Sequence, residues 1–313
     1  MRSLSPRELL LRRGAAKSIR GSRSDGCHLA LVLEGGGMRG VVSVAMASVI
    51  EERGLFLAFD SVHGSSAGAC NAAYFAAEQA EFGGRIYYED INNKKFIDTR
   101  RILLGRPIMN KDFLIDNVMH HGKPLDTRSI LDKRGFLHIV VTEARTGKER
   151  VFSAFKDETH LFEALRATIC IPIIAGRAVH IDGVSYLDGG LVQQVALKSA
   201  LDAGATHVIV LMTRRENELE RRNVKSTKYE AGVLKLIYGN PIASLYRERG
   251  EKINRIIKTI SAGRTDCGAR IEYIARPEGA VEIDRLTTNA EVIGEARHDS
   301  RYAATKYLDG HSQ

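Results

Sequence analysis

The sequence predicts an α/β domain built on a mainly parallel sheet. Near the start, a short apolar run twice enters glycine and is followed by a segment of helical spacing: residues 28–33 (HLALVL) before Gly35, and residues 59–63 (FDSVH) before Gly64. Strand, tight turn and helix repeated in series is the pattern of parallel α/β architecture. A late apolar run, residues 206–212 (THVIVLM), adds another buried strand.

The elements between follow from local signals. Apolar positions in residues 41–53 recur at helical spacing and stop at Gly54, a natural helix end. Residues 67–84 are small and Ala-rich, which predicts one close-packing helix ending at Gly83-Gly84. Residues 85–130, with Pro107 and Pro124, read as mixed short helices and loops. Residues 137–143 and 148–153 form a strand pair, residues 161–168 a helix, and residues 178–187 two strands about the Asp182-Gly183 turn. A helix over 192–203 ends at Gly204. Without internal repeats or a low-complexity linker, residues 28–213 make one domain. A basic tail (1–27) precedes it, and a helical, basic extension (214–313) packs on it.

Composition excludes several classes. With 313 residues, 44% hydrophobic and 27% charged, the chain is neither disordered nor collagenous. No run reaches the roughly 18 apolar residues of a membrane span. The N-terminal apolar stretch, Leu9 to Leu11, is too short for a secretory signal, so a cytoplasmic protein is expected. Cys27, Cys70, Cys170 and Cys267 are scattered and suggest neither zinc nor disulfides. The positive part of the +8 net charge lies in two blocks, +5 over residues 1–28 and +7 over 214–264, with −1 between them and −3 over 265–313. Such blocks attract nucleic acid or an anionic membrane, yet no nucleic-acid-binding motif or aromatic platform accompanies them.

Three motifs carry the chemistry. Gly35-Gly36-Gly37-Met38-Arg39-Gly40 links a strand to a helix, where free N–H groups and the positive dipole end suit a phosphate or an oxyanion. The same spacing fits a dinucleotide fingerprint, with Asp60 at the right distance. That acid, however, falls at the start of its strand, whereas ribose binding needs it at the end. Gly64-Ser65-Ser66-Ala67-Gly68 is a GxSxG sequence between strand and helix, the setting of a nucleophile elbow, with Ser66 central and Gly64 and Gly68 permitting the sharp turn. Asp188-Gly189-Gly190 follows a strand and can bring a carboxylate close to another backbone, as a base for a serine hydroxyl.

Together these segments resemble the bacterial patatin-like phospholipases. The likeness runs through LVLEGGGMRGVVSVAMASVIEERGL, FDSVHGSSAGACNAAYFAA, ALRATICIPIIAG and YLDGGL, and covers most of residues 29–212. It implies a three-layer α/β/α fold with a mainly parallel central sheet and a helical C-terminal extension. It also implies a Ser–Asp dyad, with Ser66 as nucleophile and Asp188 as general base. The oxyanion hole would come from Gly36, Gly37 and their neighbours Gly35, Met38 and Gly40, with Arg39 either joining it or fixing the loop through a carboxylate. No cofactor or metal is implied, and the substrate would be a phospholipid or lysophospholipid. Two departures stand out: Ser65 where the family has threonine, and Leu191-Val192-Gln193-Gln194-Val195 where asparagine and proline are usual.

A triad would need a histidine after Asp188. His207 begins an apolar strand, His298 and His311 sit in a polar tail, and His63 precedes Ser66 on a face that alternation cannot assign. Residues 232–260 combine an apolar stripe with basic positions, which predicts either core packing or peripheral contact with a lipid surface. A non-catalytic lipid-binding protein on the same scaffold is the alternative to an enzyme.

Overall fold

Leu29, Leu31 and Leu33 of strand β1 (Leu29–Leu33) join one hydrophobic cluster, while Ala30 and Val32 join another, and all five are fully buried. Alternate residues of a strand face opposite ways, so this sheet is covered on both sides. The structure, a computed structural model, describes residues 3–220 and 228–310.

Strand β1 lies between β2 (Ser61–Ser65) and β7 (His207–Arg215). Beyond them stand β3 (Leu137–Glu143) and β8 (Arg270–Arg276), and all five strands run parallel. The antiparallel part is β4 (Glu149–Phe152) and β6 (Val184–Asp188) on β3, with β5 (Val179–Ile181) on β6. The sheet order is β5-β6-β3-β2-β1-β7-β8, with β4 also on β3.

One face carries α2 (Gly40–Glu52), α3 (Ala67–Ala76), α4 (Ala80–Gly84), α7 (Glu158–Thr168) and α12 (Ala290–Asp309). The other is covered by α8 (Leu197–Asp202) and α11 (Asn240–Ser261), whose Ile253, Ile257 and Ile260 pack with Val208, Val210 and Ile271. This is the expected three-layer α/β/α arrangement. Residues 85–130 fold as α5 (Ile86–Glu89), a 3-10 turn (Thr99–Leu104), a π-helix (Phe113–Gly122) and α6 (Thr127–Asp132). After β7 the chain passes through α9 (Asn217–Glu220) and α10 (Lys228–Tyr238) into α11.

Four local readings change. The expected helix over 67–84 breaks into α3 and α4, because Glu78 takes φ +59°, where no helix continues. The helix expected over 192–203 is confined to α8. The C-terminal extension is not only helical: β8 adds an edge strand on β7, and α12 packs across α2. The segment expected as a tail forms α1 (Pro6–Ala15). The side chain of Ser5 accepts the Glu8 N–H while Glu8 accepts that of Ser5, a reciprocal cap. Leu9 and Leu10 are fully buried, and the Arg13 guanidinium donates to Asp25 (2.8 Å), Asp60 (2.6 Å) and two backbone carbonyls. His311 and residues 221–227 of the basic block lie outside the described residues.

Candidate active site

The chain leaves β2 at Ser65 and enters α3 at Ala67, so Ser66 alone makes the turn. It does so at φ 54° and ψ −138°, a conformation strained for any residue but glycine. Crowding on every side holds it there. A Cβ on Gly68 would stand 2.2 Å from the Leu33 carbonyl oxygen, and one on Gly35 would stand 2.5 Å from that of Ser65. The Ser66 N–H donates to Thr168 Oγ1 (2.9 Å), which itself donates to the Val140 carbonyl (2.6 Å).

Strand β3 explains how Asp188 arrives. Ser65 of β2 pairs with Val140, and Asp188 of β6 pairs with the next residue, Val141, both on the edge of β3 opposite β4. Strands β2 and β6 therefore meet end to end, and the residues at their junction are Ser66 and Asp188. The Oγ of Ser66 donates to Asp188 Oδ2 at 2.8 Å. Asp188 Oδ1 accepts the Gly190 N–H (2.6 Å), and its backbone is held by Thr142 and Cys170. Gly189 must be glycine, since a Cβ there would meet the Val140 carbonyl oxygen at 2.0 Å. Burial pushes the Asp188 carboxyl up to about 6, against the hydrogen bonds from Ser66 and Gly190 and the charge of Arg285.

Ser65 has a different setting from Ser66. It is buried, and its hydroxyl donates to the Gln193 carbonyl (2.6 Å), which is how the unusual Gln193-Gln194 segment is tied to the elbow.

In the glycine loop, Gly36 and Gly37 have φ +144° and +60°. The Met38 N–H donates to the Arg285 carbonyl (3.0 Å), that of Arg39 to Gly36 (3.3 Å), and that of Gly40 back to Gly37 and Met38. Of the six residues expected at an oxyanion hole, Met38, Arg39 and Gly40 thus have their backbone donors engaged, while Gly35, Gly36 and Gly37 line the cleft. Among the described residues, the Arg39 side chain pairs with no carboxylate, so the loop is not fixed that way. The neighbouring buried ion pair joins Glu34 to Arg214 instead (2.8 Å).

A cleft of about 630 Å³ contains Ser66, Asp188, Gly36 and Gly37, together with Arg39, Arg249 and Arg285. Beside it, a second pocket of about 400 Å³ also touches Ser66 but is apolar, lined by residues such as Ile86, Phe96, Met109 and Leu114. Arg249 and Arg285 come from the C-terminal extension; the sequence showed Arg249 only as one of the basic positions of residues 232–260 and gave no signal for Arg285, because only the tertiary fold brings them here. Thr168 was visible only as part of a matching segment.

No described histidine lines either pocket. His63 is buried between Ser199 (2.9 Å) and Ser61 (2.8 Å) and stacks on His138, His207 faces the Leu4 carbonyl, and His298 is exposed on α12. Asp60 is held by Arg13 and Arg23 and accepts the Leu29 N–H (2.8 Å), so its carboxylate is a structural anchor rather than a ribose ligand. Among the described residues, no helix is long and apolar enough to cross a membrane, and no cluster of His, Cys, Asp or Glu is placed to hold a metal.

A mainly parallel α/β sheet thus holds a strained serine on a strand-to-helix turn beside a buried carboxylate. The patatin-like phospholipase model matches residues 31–201, and the chain belongs to that family. An uncharacterized protein of Escherichia coli (strain K12), YjjU, is 28% identical over 190 residues, covering 59% of this chain and 52% of YjjU. The chain thus spans about half the length of the curated relative it matches. The crystal structure of VipD from Legionella pneumophila aligns with a TM-score of 0.49 at 13% identity, covering 91% of this chain and 67% of VipD.

Proposed function

We propose that this chain is a serine acyl hydrolase of phospholipase A or lysophospholipase type, working through Ser66 and Asp188. The observation that carries the reading is the 2.8 Å hydrogen bond from Ser66 Oγ to the Asp188 carboxylate. A serine hydroxyl needs a base within that reach, and a base that titrates near 6 is mostly ionised at neutral pH.

In this mechanism Ser66 Oγ attacks the ester carbonyl carbon as its proton passes to Asp188. The N–H groups of Gly36 and Gly37, with the N-terminal end of α3, receive the developing oxyanion. Collapse breaks the ester C–O bond, and the leaving alkoxide takes the proton from Asp188. Water then attacks the acyl-enzyme, giving its proton to the same carboxylate, and the fatty acid leaves with Ser66 restored. The apolar pocket is suited to the acyl chain.

The protein would act as a peripheral, cytoplasmic enzyme. Within residues 232–260 the α11 stripe is turned inward, so lipid contact would fall to Leu236 and Ile237, which are 89% and 58% exposed. Replacing both by aspartate should weaken vesicle binding.

The direct test is labelling by a fluorophosphonate together with hydrolysis of a lipid panel read by mass. Ser66→Ala should abolish both, and Asp188→Asn should stop turnover. Labelling that persists in Ser66→Ala rejects the assignment, and lipid binding without any turnover by the wild type would leave the non-catalytic alternative.

A further inference from the structure

Three guanidinium groups converge on the cleft with too little negative charge to meet them. Arg39 is only 7% exposed, its Nε has no partner, and no described carboxylate bonds to it. The two carboxylates that line the same cleft are committed elsewhere. Glu34 holds Arg214 and the Thr213 N–H, and Asp188 holds Ser66 and the Gly190 N–H. Arg249 lies over the Tyr246 ring at 3.8 Å and pairs with Glu230 at 4.0 Å, while its Nε has no hydrogen-bond partner. Arg285 is pinned through its backbone, because its carbonyl accepts the Met38 N–H and fills the space where Gly37 lacks a Cβ. Arg285 is exposed, and partial desolvation by the surrounding protein with the like charge of Arg39 and Arg249 brings it down to about 10, still protonated at neutral pH.

Like charges gathered on one cleft with little counter-charge repel one another, and a cleft that keeps them is suited to receive an anion. Several guanidiniums suit an oxyanion with more than two acceptor oxygens, which is phosphate before carboxylate. Placement narrows the source. The apolar pocket and the arginine cleft share Gly37, Ser66 and Ile171, so Ser66 stands where one opens into the other. A molecule with an acyl chain, an ester and a phosphate in that order spans the three regions.

We propose that Arg249 and Arg285, supplied by the chain beyond the matched family domain, close a phosphate subsite over Arg39, so that the cleft selects a glycerolipid bearing a phosphate. This deepens the hydrolase reading above and rests on it.

The test compares oleoyl lysophosphatidate with monooleoylglycerol, which differ only in the phosphate. The wild type should prefer the phosphorylated ester in kcat/KM. Arg285→Gln and Arg249→Gln should each cut that preference about tenfold, and Arg285→Lys should keep part of it. Melting temperatures check that each variant is folded. If one glutamine variant does not fold, the other and Arg285→Lys carry the comparison. A preference that survives in the folded variants overturns the subsite. So does inorganic phosphate that competes as well as glycerol 3-phosphate, which would mark a site for a free anion. Titration of oleoyl lysophosphatidate into Ser66→Ala separates the two readings. Arginine-dependent binding with no wild-type turnover retains the subsite and rejects the hydrolase, whereas turnover without phosphate preference does the reverse.

Discussion

Ser66 donates its hydroxyl proton to Asp188 across 2.8 Å, and that bond opposes the burial which otherwise raises the carboxyl. Burial wins, leaving the group at about 6. Below that pH Asp188 is protonated and has no capacity to accept the Ser66 proton. We therefore expect kcat/KM for a soluble ester to rise with pH through about 6 and then level off, with a single ionisation on the acid side. A rate that is flat from pH 5 to 8 would remove Asp188 as the base.

The same burial predicts a stability effect of opposite sense to activity. The folded carboxyl titrates above its unfolded value of 3.8, so its contribution to stability is full below that value and is lost as pH rises through about 6. Asp188→Asn removes a charge that the folded state holds at a cost. Its Oδ1 can still accept the Gly190 N–H. The variant should be inactive yet more stable than wild type by about 1–3 kcal/mol at pH 8, with the difference shrinking toward pH 4. Urea denaturation at the two pH values measures it, and an Asn variant less stable at pH 8 would contradict the argument.

What was legible in the sequence was legible where steric demand is local. Gly35, Gly64, Gly68 and Gly189 each sit where a Cβ would strike backbone, and these glycines outlined the three motifs before any fold was known. The parallel core was equally plain, because β1 and β7 are apolar runs buried on both faces. Strand β8 was missed because RIEYIAR mixes charged with apolar residues, as a strand on the sheet edge can. Helix α1 was missed because its capping signal, Ser5 to Glu8, lay among charges that read as a tail. Arg285 has no local signature, and Arg249 showed only as one basic position of residues 232–260, not as part of the cleft. Their role depends on where α11 and the strand-free segment after β8 come to rest.

Acid should destabilise the fold through a buried histidine pair. His63 and His138 stack at 4.2 Å, and burial lowers His63 well below its usual value and His138 to about 4. Both are neutral when folded, while the unfolded chain takes up protons below about 6.5. Their contribution to stability is therefore present above 6.5 and is lost as pH falls from there toward 4. The melting temperature should drop between pH 7 and 5, and His138→Gln should flatten that drop. A variant with an unchanged slope would place the acid sensitivity elsewhere.

Gly68 offers the sharpest test of how the elbow is held. In an open helix, alanine in place of glycine gains up to about 1 kcal/mol, and Gly294 of α12, with nothing near its Cβ position, should show that gain. At Gly68 the same change places a Cβ 2.2 Å from the Leu33 carbonyl oxygen and 2.9 Å from the Gly35 nitrogen, both backbone atoms that cannot step aside alone. The loop from β1 must move, and we expect Gly68→Ala to lose about 1–3 kcal/mol. Because that loop carries Gly36 and Gly37 past Ser66, turnover should fall by more than the loss of folded protein explains. Ser66→Gly supplies the contrast, since it relieves the residue at φ 54° and should be about 1 kcal/mol more stable than Ser66→Ala. Equal stability of those two variants would mean that the turn at Ser66 relaxes once the hydroxyl is gone.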